Sequence, residues 1–188
     1  MKSLVAYFSR PDENYNVGNV HEGNTKLLAE ALAEAISADT FEIIPAEKYP
    51  KDYQACVEKA TEEGSTNARP AYIGDVKNWD DYDTIYLGYP IWWGDIPMIV
   101  YTFLENHDFS GKTVIPFNTH EGSGNANTYE FIKATIPNAK VKGDGWNITG
   151  VKARTKAGQA ELINFVQSKN GDSGGSRTRD FLDENQTS

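Results

Sequence analysis

Short apolar segments alternate with amphipathic ones about five times along this chain of 188 residues, and that alternation restricts the fold more than any other feature. The apolar segments are residues 4–8, 40–44, 84–89 and 113–117, with a fifth one split into 139–141 and 146–148. The amphipathic segments have the helical period and cover residues 27–36, 53–63, 97–105, 128–135 and 157–166. Strands that alternate with helices form a parallel sheet with helices on both faces. The sequence therefore predicts an α/β fold with an open five-stranded parallel sheet.

The alternating pattern stops near residue 168. The length and a hydrophobic content of 39% suit one globular domain. Residues 169–188 include the stretch NGDSGGS and have no periodic apolar pattern. Polar segments that are rich in glycine and serine behave as flexible chain. We therefore predict one domain over residues 1–168 and a flexible polar tail over residues 169–188.

The net charge argues against two classes of partner. The formal net charge is −9 at pH 7. Nucleic-acid binding requires a basic patch, and an anionic membrane repels an acidic surface. An acidic surface attracts basic proteins, although solubility alone would also account for it. We predict no nucleic acid and no membrane among the partners, and we expect a redox partner protein with a basic surface if the chain has one.

Cysteine and histidine do not indicate a metal site. Cys56 is the only cysteine, and the three histidines, at positions 21, 107 and 120, are not spaced as metal ligands. A lone cysteine in a helical segment is usually a small buried apolar group. Residues 1–3 lead directly into the first strand, and no apolar run is long enough to span a bilayer. We predict a cytoplasmic protein without a metal.

Polar, glycine-containing loops follow three of the predicted strands and would meet at one edge of the sheet. Ligands of open parallel sheets bind beyond the carboxyl ends of the strands. The first loop leaves its strand at Ser9 and reaches the next helix at Gly23, Asn24 and Thr25. The free N–H groups and positive dipole end of a helix attract an anion, and these side chains add neutral donors. These groups form a phosphate site, or Asn24 and Thr25 only cap the helix.

The second loop, residues 88–95, contains the adjacent tryptophans Trp92 and Trp93 in the sequence GYPIWWGD. Core aromatic side chains normally lie within regular elements, so this pair needs another explanation. A tryptophan at the ligand edge offers a flat surface, and stacking contributes about 0.5–1.5 kcal/mol beyond burial. We expect at least one of the two to stack on a planar ligand. The alternative is that one packs under the next helix and the other lies at a subunit interface.

The third loop follows the fourth predicted strand and carries hydroxyl, imidazole and glycine groups: Thr119, His120, Gly122, Ser123 and Gly124. Its glycines would let the backbone approach a ligand closely. The imidazole could work with the neighbouring carboxylate of Glu121 as an acid–base pair, or both could face solvent. The hydrolase motif G-x-S-x-G is absent from the chain, so we assign no catalytic residue.

Taken together, these segments resemble the flavodoxin-like family of FMN proteins. The resemblance rests on VAYFS at residues 5–9, GNT at 23–25, YPIWWG at 89–94 and THEGSG at 119–124, and it covers roughly residues 1–168. The YPIWWG loop is its most specific part. The resemblance implies FMN as a non-covalent cofactor, bound at the switch point of a sheet with the strand order 2-1-3-4-5.

The resemblance also implies a role for each loop. The first loop would hold the FMN phosphate, and the other two would line the two sides of the flavin ring. The residues that match these three loops are Ser9, Gly23, Asn24 and Thr25, then Pro90, Ile91, Trp92, Trp93 and Gly94, then Thr119, His120, Gly122, Ser123 and Gly124.

The chain departs from the family in its first loop. The family's loop is usually compact, whereas residues 10–22 separate Ser9 from Gly23 here. Arg10 or His21 could fold back over the phosphate as a compensating cation, or remain solvated. We count Arg10 among the expected cofactor-binding residues.

Two functions fit the resemblance. The first is an electron carrier that uses bound FMN; the second is an NAD(P)H-dependent FMN oxidoreductase acting on quinones or similar flat acceptors. A carrier would stabilise half-reduced flavin and oxidise NAD(P)H poorly, whereas the enzyme would oxidise NAD(P)H rapidly and would usually be a homodimer. No nicotinamide-phosphate site is evident, so the sequence favours the carrier. A binding module that has lost its flavin is a third possibility, suggested by the inserted loop alone.

Overall fold

A parallel sheet forms the centre of the computed structural model, which describes the backbone of residues 2–184 and the side chains of residues 2–170. The strands of the chain are β1 (Lys2–Tyr7), β2 (Asp12–Asn14), β3 (Gly18–Val20), β4 (Asp39–Glu42), β5 (Tyr82–Pro90), β6 (Thr113–His120), β7 (Lys140–Val141) and β8 (Trp146–Thr149). The central sheet has the order β4-β1-β5-β6-β7, and all its pairings are parallel. Counted along the chain, this is the predicted order 2-1-3-4-5.

The fifth position of the sheet is shared by two short strands. β7 pairs with the start of β6, and β8 pairs in parallel with its end. The intervening segment contains Gly143 and Gly145. The split that the sequence predicted at this strand is therefore present.

Helices cover both faces of the sheet. They are α1 (Asn24–Ile36), α2 (Tyr53–Thr66), α3 (Met98–Glu105), α4 (Thr128–Thr135), α5 (Gly150–Ala153) and α6 (Lys156–Glu184). Successive β1 residues point to opposite faces: Leu4 packs in the core under α3 and α4, and Val5 in the core under α1 and α6. Among the described helices, none has the length and apolar character that a membrane crossing requires.

The first loop is not irregular, as the sequence predicted, but contains an antiparallel hairpin. Asp12 pairs with Val20 and Asn14 with Gly18, and we call residues 12–20 the hairpin. Both strands are short and largely polar, and all their residues are exposed or partly exposed, so they lack the apolar alternation by which strands are detected in a sequence. The hairpin stands at the carboxyl edge of the sheet, because it directly follows β1.

The last helix is longer than the predicted one. The sequence predicted a helix over residues 157–166, whereas α6 continues to Glu184, through most of the predicted tail. No proline interrupts residues 156–184, so the backbone hydrogen bonds of the helix can continue. The domain end at residue 168 and the flexibility of the tail stay predictions, and residues 185–188 lie outside the described part of the chain.

Candidate functional site

A cavity of about 410 Å³ opens at the carboxyl edge of the sheet. Small-molecule and cofactor sites usually have volumes of about 300–1,000 Å³. All three predicted loops contribute to the lining, through Arg10, Asn24, Pro90, Ile91, Trp92, Trp93, Gly94, Thr119, His120 and Ser123. The remaining predicted residues lie in the same loops but do not line the cavity: Ser9, Gly23, Thr25, Gly122 and Gly124.

The N-terminus of α1 faces this region, with a cap that differs from the predicted one. Gly23 is the N-cap residue, so Asn24 and Thr25 are the first helical residues and do not cap the helix. The hydroxyl of Ser9 instead accepts a hydrogen bond of 2.9 Å from the backbone N–H of Lys26. A Cβ atom on Gly23 would lie 2.3 Å from Ser9 Oγ and 2.4 Å from the carbonyl oxygen of Arg10. This close approach requires glycine at position 23.

The side chains of Asn24 and Thr25 join α1 to other parts of the site. The hydroxyls of Thr25 and Thr119 are 2.8 Å apart and both residues are buried. The Arg154 Nη1 group donates hydrogen bonds to Asn24 Oδ1 at 3.1 Å and to the carbonyl oxygen of Glu22 at 2.8 Å. Sequence reasoning missed Arg154, because nothing local links it to a helix 130 residues earlier.

The second loop makes a two-residue turn around Trp93 and Gly94. The backbone N–H of Trp92 donates to the Asp95 carbonyl at 2.9 Å, and the N–H of Asp95 donates back at 3.1 Å. Trp93 and Gly94 have φ angles of +54° and +68°, as a type I′ turn requires. A left-handed conformation costs a side-chain-bearing residue roughly 1–2 kcal/mol. Trp93 adopts this conformation while its side chain is 71% exposed, so burial of the indole does not compensate for the strain.

The two tryptophans have different environments. Trp92 is half-buried and makes edge contacts with Phe8 and Tyr49, with ring centroids 5.3 and 5.1 Å apart. The Tyr49 hydroxyl donates to the buried carboxyl group of Glu63 at 2.7 Å, and burial raises the pKa of that carboxyl group. Trp92 therefore packs against the protein while it still borders the cavity, and Trp93 is the exposed one of the pair; stacking on a ligand stays a prediction.

The third loop is held by side chains that bond to its own backbone. His120 Nδ1 accepts a hydrogen bond of 3.0 Å from the Gly122 N–H, so the proton of the neutral ring is on Nε2, which donates to Asn147 Oδ1 at 3.0 Å. The buried Asn118 donates to the Gly124 carbonyl at 3.2 Å. Both ring nitrogens of His120 thus bond within the protein, and Glu121 is exposed, as the solvent-facing alternative expected of it; an acid–base role stays a prediction.

Arg10 is buried, and its two Nη atoms bond to the protein, whereas its buried Nε has no hydrogen-bond partner within the described part of the chain. Its Nη2 atom donates to the carbonyl oxygens of Pro50 and Lys51, each at 2.9 Å, and Nη1 donates to the Glu13 carbonyl. The expectation that it is solvated is wrong, because these carbonyls enclose it. His21 is exposed. Arg10 borders the cavity, and its contact with a cofactor stays a prediction.

Part of the cavity lining was missed from the sequence. It comes from the hairpin and from α2, through Asn14, Tyr15, Tyr53, Cys56, Val57 and Ala60; Glu121, which the sequence offered only as an acid–base partner of His120, also lines the cavity. The apolar face of α2 could have indicated burial but not a ligand site. Within the described residues, no group of three or more His, Cys, Asp or Glu side chains is placed to hold a metal ion.

Comparisons with known proteins agree with the fold. A family model described as flavodoxin matches residues 2–166. The solved structure of a candidate flavoprotein from Bacteroides eggerthii DSM 20697 is 35% identical, with a TM-score of 0.67 over 86% of this chain and 95% of that one. A second candidate flavoprotein, from Bacteroides uniformis ATCC 8492, is 32% identical, with a TM-score of 0.70 over 88% and 97% of the two chains.

A more distant structure contains a ligand. The flavoprotein from Lactobacillus acidophilus NCFM, solved in complex with FMN, is 21% identical, with a TM-score of 0.61 over 78% of this chain and 91% of that one. At this identity the likeness shows the fold alone. None of the curated proteins compared with the chain matches it.

Proposed function

The chain belongs to the flavodoxin family, and we propose that it binds FMN without a covalent bond and transfers electrons through it. Membership of the family supports FMN as the cofactor, as does the FMN complex of the Lactobacillus flavoprotein with the same fold. The observation that carries the proposal is the turn that holds Trp93 exposed, in a left-handed conformation, beside a cavity of about 410 Å³.

The residues around the cavity suit the parts of FMN. The first turn of a helix has backbone N–H groups without helical acceptors, and α1 presents them together with the side chain of Asn24. The exposed indole of Trp93 suits a flat ring. The carboxylate of Glu121 would repel a phosphate group at the start of α1, because Glu121 and Asn24 both lie beside Gly150. Its Oε2 atom accepts a hydrogen bond of 3.2 Å from Asn16. On balance the lining fits FMN.

When bound, FMN supplies the redox chemistry, and the protein supplies binding and electrostatics. The N-terminus of α1 would hold the phosphate, Trp93 would stack on the ring, and Trp92 would support the turn from inside. The net charge of −9 and the indole face both disfavour additional negative charge on the ring. We therefore expect the protein to lower the reduction potential of its flavin.

Of the two functions open to such a protein, we favour the carrier. An exposed Trp93 at the mouth of the site and an acidic chain suit a redox partner protein with a basic surface. The alternative is an NAD(P)H-dependent oxidoreductase for flat acceptors. One observation favours it: the cavity continues past the three loops into a space between the hairpin and α2.

The test is the visible spectrum of the purified protein with FMN, followed through stepwise reduction. A bound-flavin spectrum that changes in two one-electron stages supports the carrier, and direct two-electron bleaching with rapid NAD(P)H oxidation supports the oxidoreductase. A spectrum identical to that of free FMN would refute the proposed function.

Replacing Trp93 tests the residue that carries the proposal. Trp93→Gly keeps the turn and removes the indole, so FMN should bind about two- to tenfold more weakly, corresponding to about 0.5–1.5 kcal/mol of stacking. Thermal stability should not fall, because glycine adopts positive φ without strain. The matched control is Ile73→Ala, at an exposed apolar side chain outside the cavity lining, which should leave FMN affinity unchanged. Equal FMN affinity in all three proteins would remove Trp93 from the site.

A further inference from the structure

One positive charge is buried in the wall of the cavity. Arg10 lines the cavity and is only 7% exposed, so water screens its guanidinium group little. Guanidinium groups stay protonated inside proteins. The hydrogen bonds of its Nη atoms go to the backbone carbonyl oxygens of residues 13 and 50–52, and it forms no ion pair with any of the residues that the structure describes.

The surroundings of this guanidinium group leave its charge without an opposite charge. Neutral carbonyl dipoles compensate a buried cation only in part, and the burial of an unpaired charge is costly. The Nε atom adds to that cost, because nothing in the described range of the chain accepts its hydrogen bond. A negative charge in the cavity would recover part of the cost. We therefore expect the cavity to favour the more negative of two states of the same ligand.

The guanidinium group lies on the side of the cavity where Trp92 packs. It donates to the Pro50 carbonyl, and the ring of the preceding residue, Tyr49, contacts the Trp92 ring with centroids 5.1 Å apart. The start of α1 has a cation of its own, because Arg154 bonds to its first residue. In the proposed FMN site, Arg154 therefore serves the phosphate end, and Arg10 lies towards the flavin ring.

The charge of Arg10 also acts on other groups that line the cavity. Burial raises the pKa of the Cys56 thiol, and the neighbouring guanidinium group opposes this rise because it favours a negative charge on the sulfur. Glu121 brings a negative charge to the same lining, but its side chain is exposed, so water weakens its effect. The buried cation thus acts on any group in the cavity that can become negative.

Reduction changes the charge of the flavin ring but not that of the phosphate. Two electrons and one proton form an N5–H bond and add one negative charge to the ring, and a second proton, on N1, would cancel that charge. We propose that Arg10 makes the cavity bind fully reduced, anionic FMN more tightly, and so opposes the lowering of the reduction potential by the acidic chain. The inference rests on the proposed function and deepens it, because it names the residue that adjusts the potential of the cofactor.

The test measures the ratio of the dissociation constants of fully reduced and oxidised FMN. The constant for oxidised FMN comes from fluorescence quenching, and the ratio comes from the midpoint potentials of bound and free FMN, titrated anaerobically with dithionite. Arg10→Gln removes the charge, so the ratio should rise about tenfold, as Coulomb's law gives for unit charges roughly 10 Å apart at an effective dielectric constant of about 20. Arg10→Lys keeps the charge and should keep the wild-type ratio.

Arg154→Gln is the matched control at the phosphate end. The phosphate group has the same charge in both forms of FMN, so this variant should weaken both alike and leave the ratio unchanged. Arg10→Met also lacks the charge and takes the place of Arg10→Gln if that variant does not fold. The inference is overturned if removing the charge leaves the ratio unchanged, or if Arg10→Lys raises the ratio as much as Arg10→Gln. Failure of the proposed function would be seen separately, as an absence of FMN binding to the wild type.

Discussion

Gly23→Ala tests whether the close approach at the start of α1 shapes the site. Gly23 has φ −70° and ψ 163°, which alanine adopts without strain, so the added methyl group acts only through its contacts. That methyl group would lie 2.3 Å from Ser9 Oγ, 2.4 Å from the Arg10 carbonyl oxygen and 2.8 Å from its carbon. The backbone of Arg10 cannot withdraw easily, because its side chain is anchored to residues 50–51.

The magnitude follows from two opposing effects. Overpacking of this kind usually costs about 1–3 kcal/mol. Replacing glycine by alanine recovers about 0.4–1 kcal/mol by restricting the unfolded chain. The free energy of unfolding should therefore fall by about 1–2 kcal/mol, which lowers Tm by roughly 2–8 °C in a domain of this size. Gly64→Ala is the matched control: it lies inside α2 with nothing within 4 Å of the new Cβ, so it should stabilise by about 0.5–1 kcal/mol.

Urea unfolding of the two variants measures these changes directly. Gly23→Ala should also move Ser9 away from the Lys26 N–H, and so should weaken FMN more than riboflavin, which lacks the phosphate. Equal unfolding free energies for Gly23→Ala and Gly64→Ala would refute the reasoning, because both substitutions have the same effect on the unfolded chain and differ only in the contacts of the methyl group.

Three further variants test other parts of the site. Arg154→Gln loses the charged donor to Asn24, so FMN affinity, measured by flavin fluorescence, should fall about tenfold while riboflavin affinity stays unchanged; equal losses for both would refute a role at the phosphate end. Glu63→Gln removes a carboxyl group whose pKa is raised by burial, so the folded state holds its proton more tightly than the unfolded state and the wild type loses stability as pH rises above the ordinary pKa of 4.5. In urea unfolding between pH 4.5 and 7.5, the free energy of unfolding of the variant should therefore rise relative to that of the wild type. A difference in unfolding free energy that does not change with pH would contradict this. Gly94→Ala places a methyl group in open space at φ +68°, so the dihedral strain of about 1–2 kcal/mol is offset in part by the roughly 0.4–1 kcal/mol recovered from the unfolded chain, and the free energy of unfolding should fall by about 0.5–1 kcal/mol in urea unfolding; no fall would contradict the strain.

The sheet and the edge where the site lies could be predicted from the sequence. Strand and helix periodicity are local properties, and the position of a ligand beyond the carboxyl ends of parallel strands follows from the topology alone. For this reason the meeting of the three loops at one cavity could be predicted, whereas the strand order was expected only from the resemblance to the flavodoxin-like family. The helix cap at Asn24 was wrong because Gly23 and Asn24 both suit an N-cap, and only the path of the incoming chain decides between them.

The tertiary structure decided which side chains are available at that edge. Trp92 and Trp93 are adjacent in sequence, and the turn and its neighbours leave only the second exposed. Arg154, Asn147 and Tyr53 reach the site from distant parts of the chain. The polar hairpin has no apolar periodicity in the sequence. It is held instead by hydrogen bonds from Arg10 to the carbonyl oxygens of residues 50–51. Contacts of this kind join residues that no local pattern connects, because packing and hydrogen bonding depend on distance in space and not on separation along the chain.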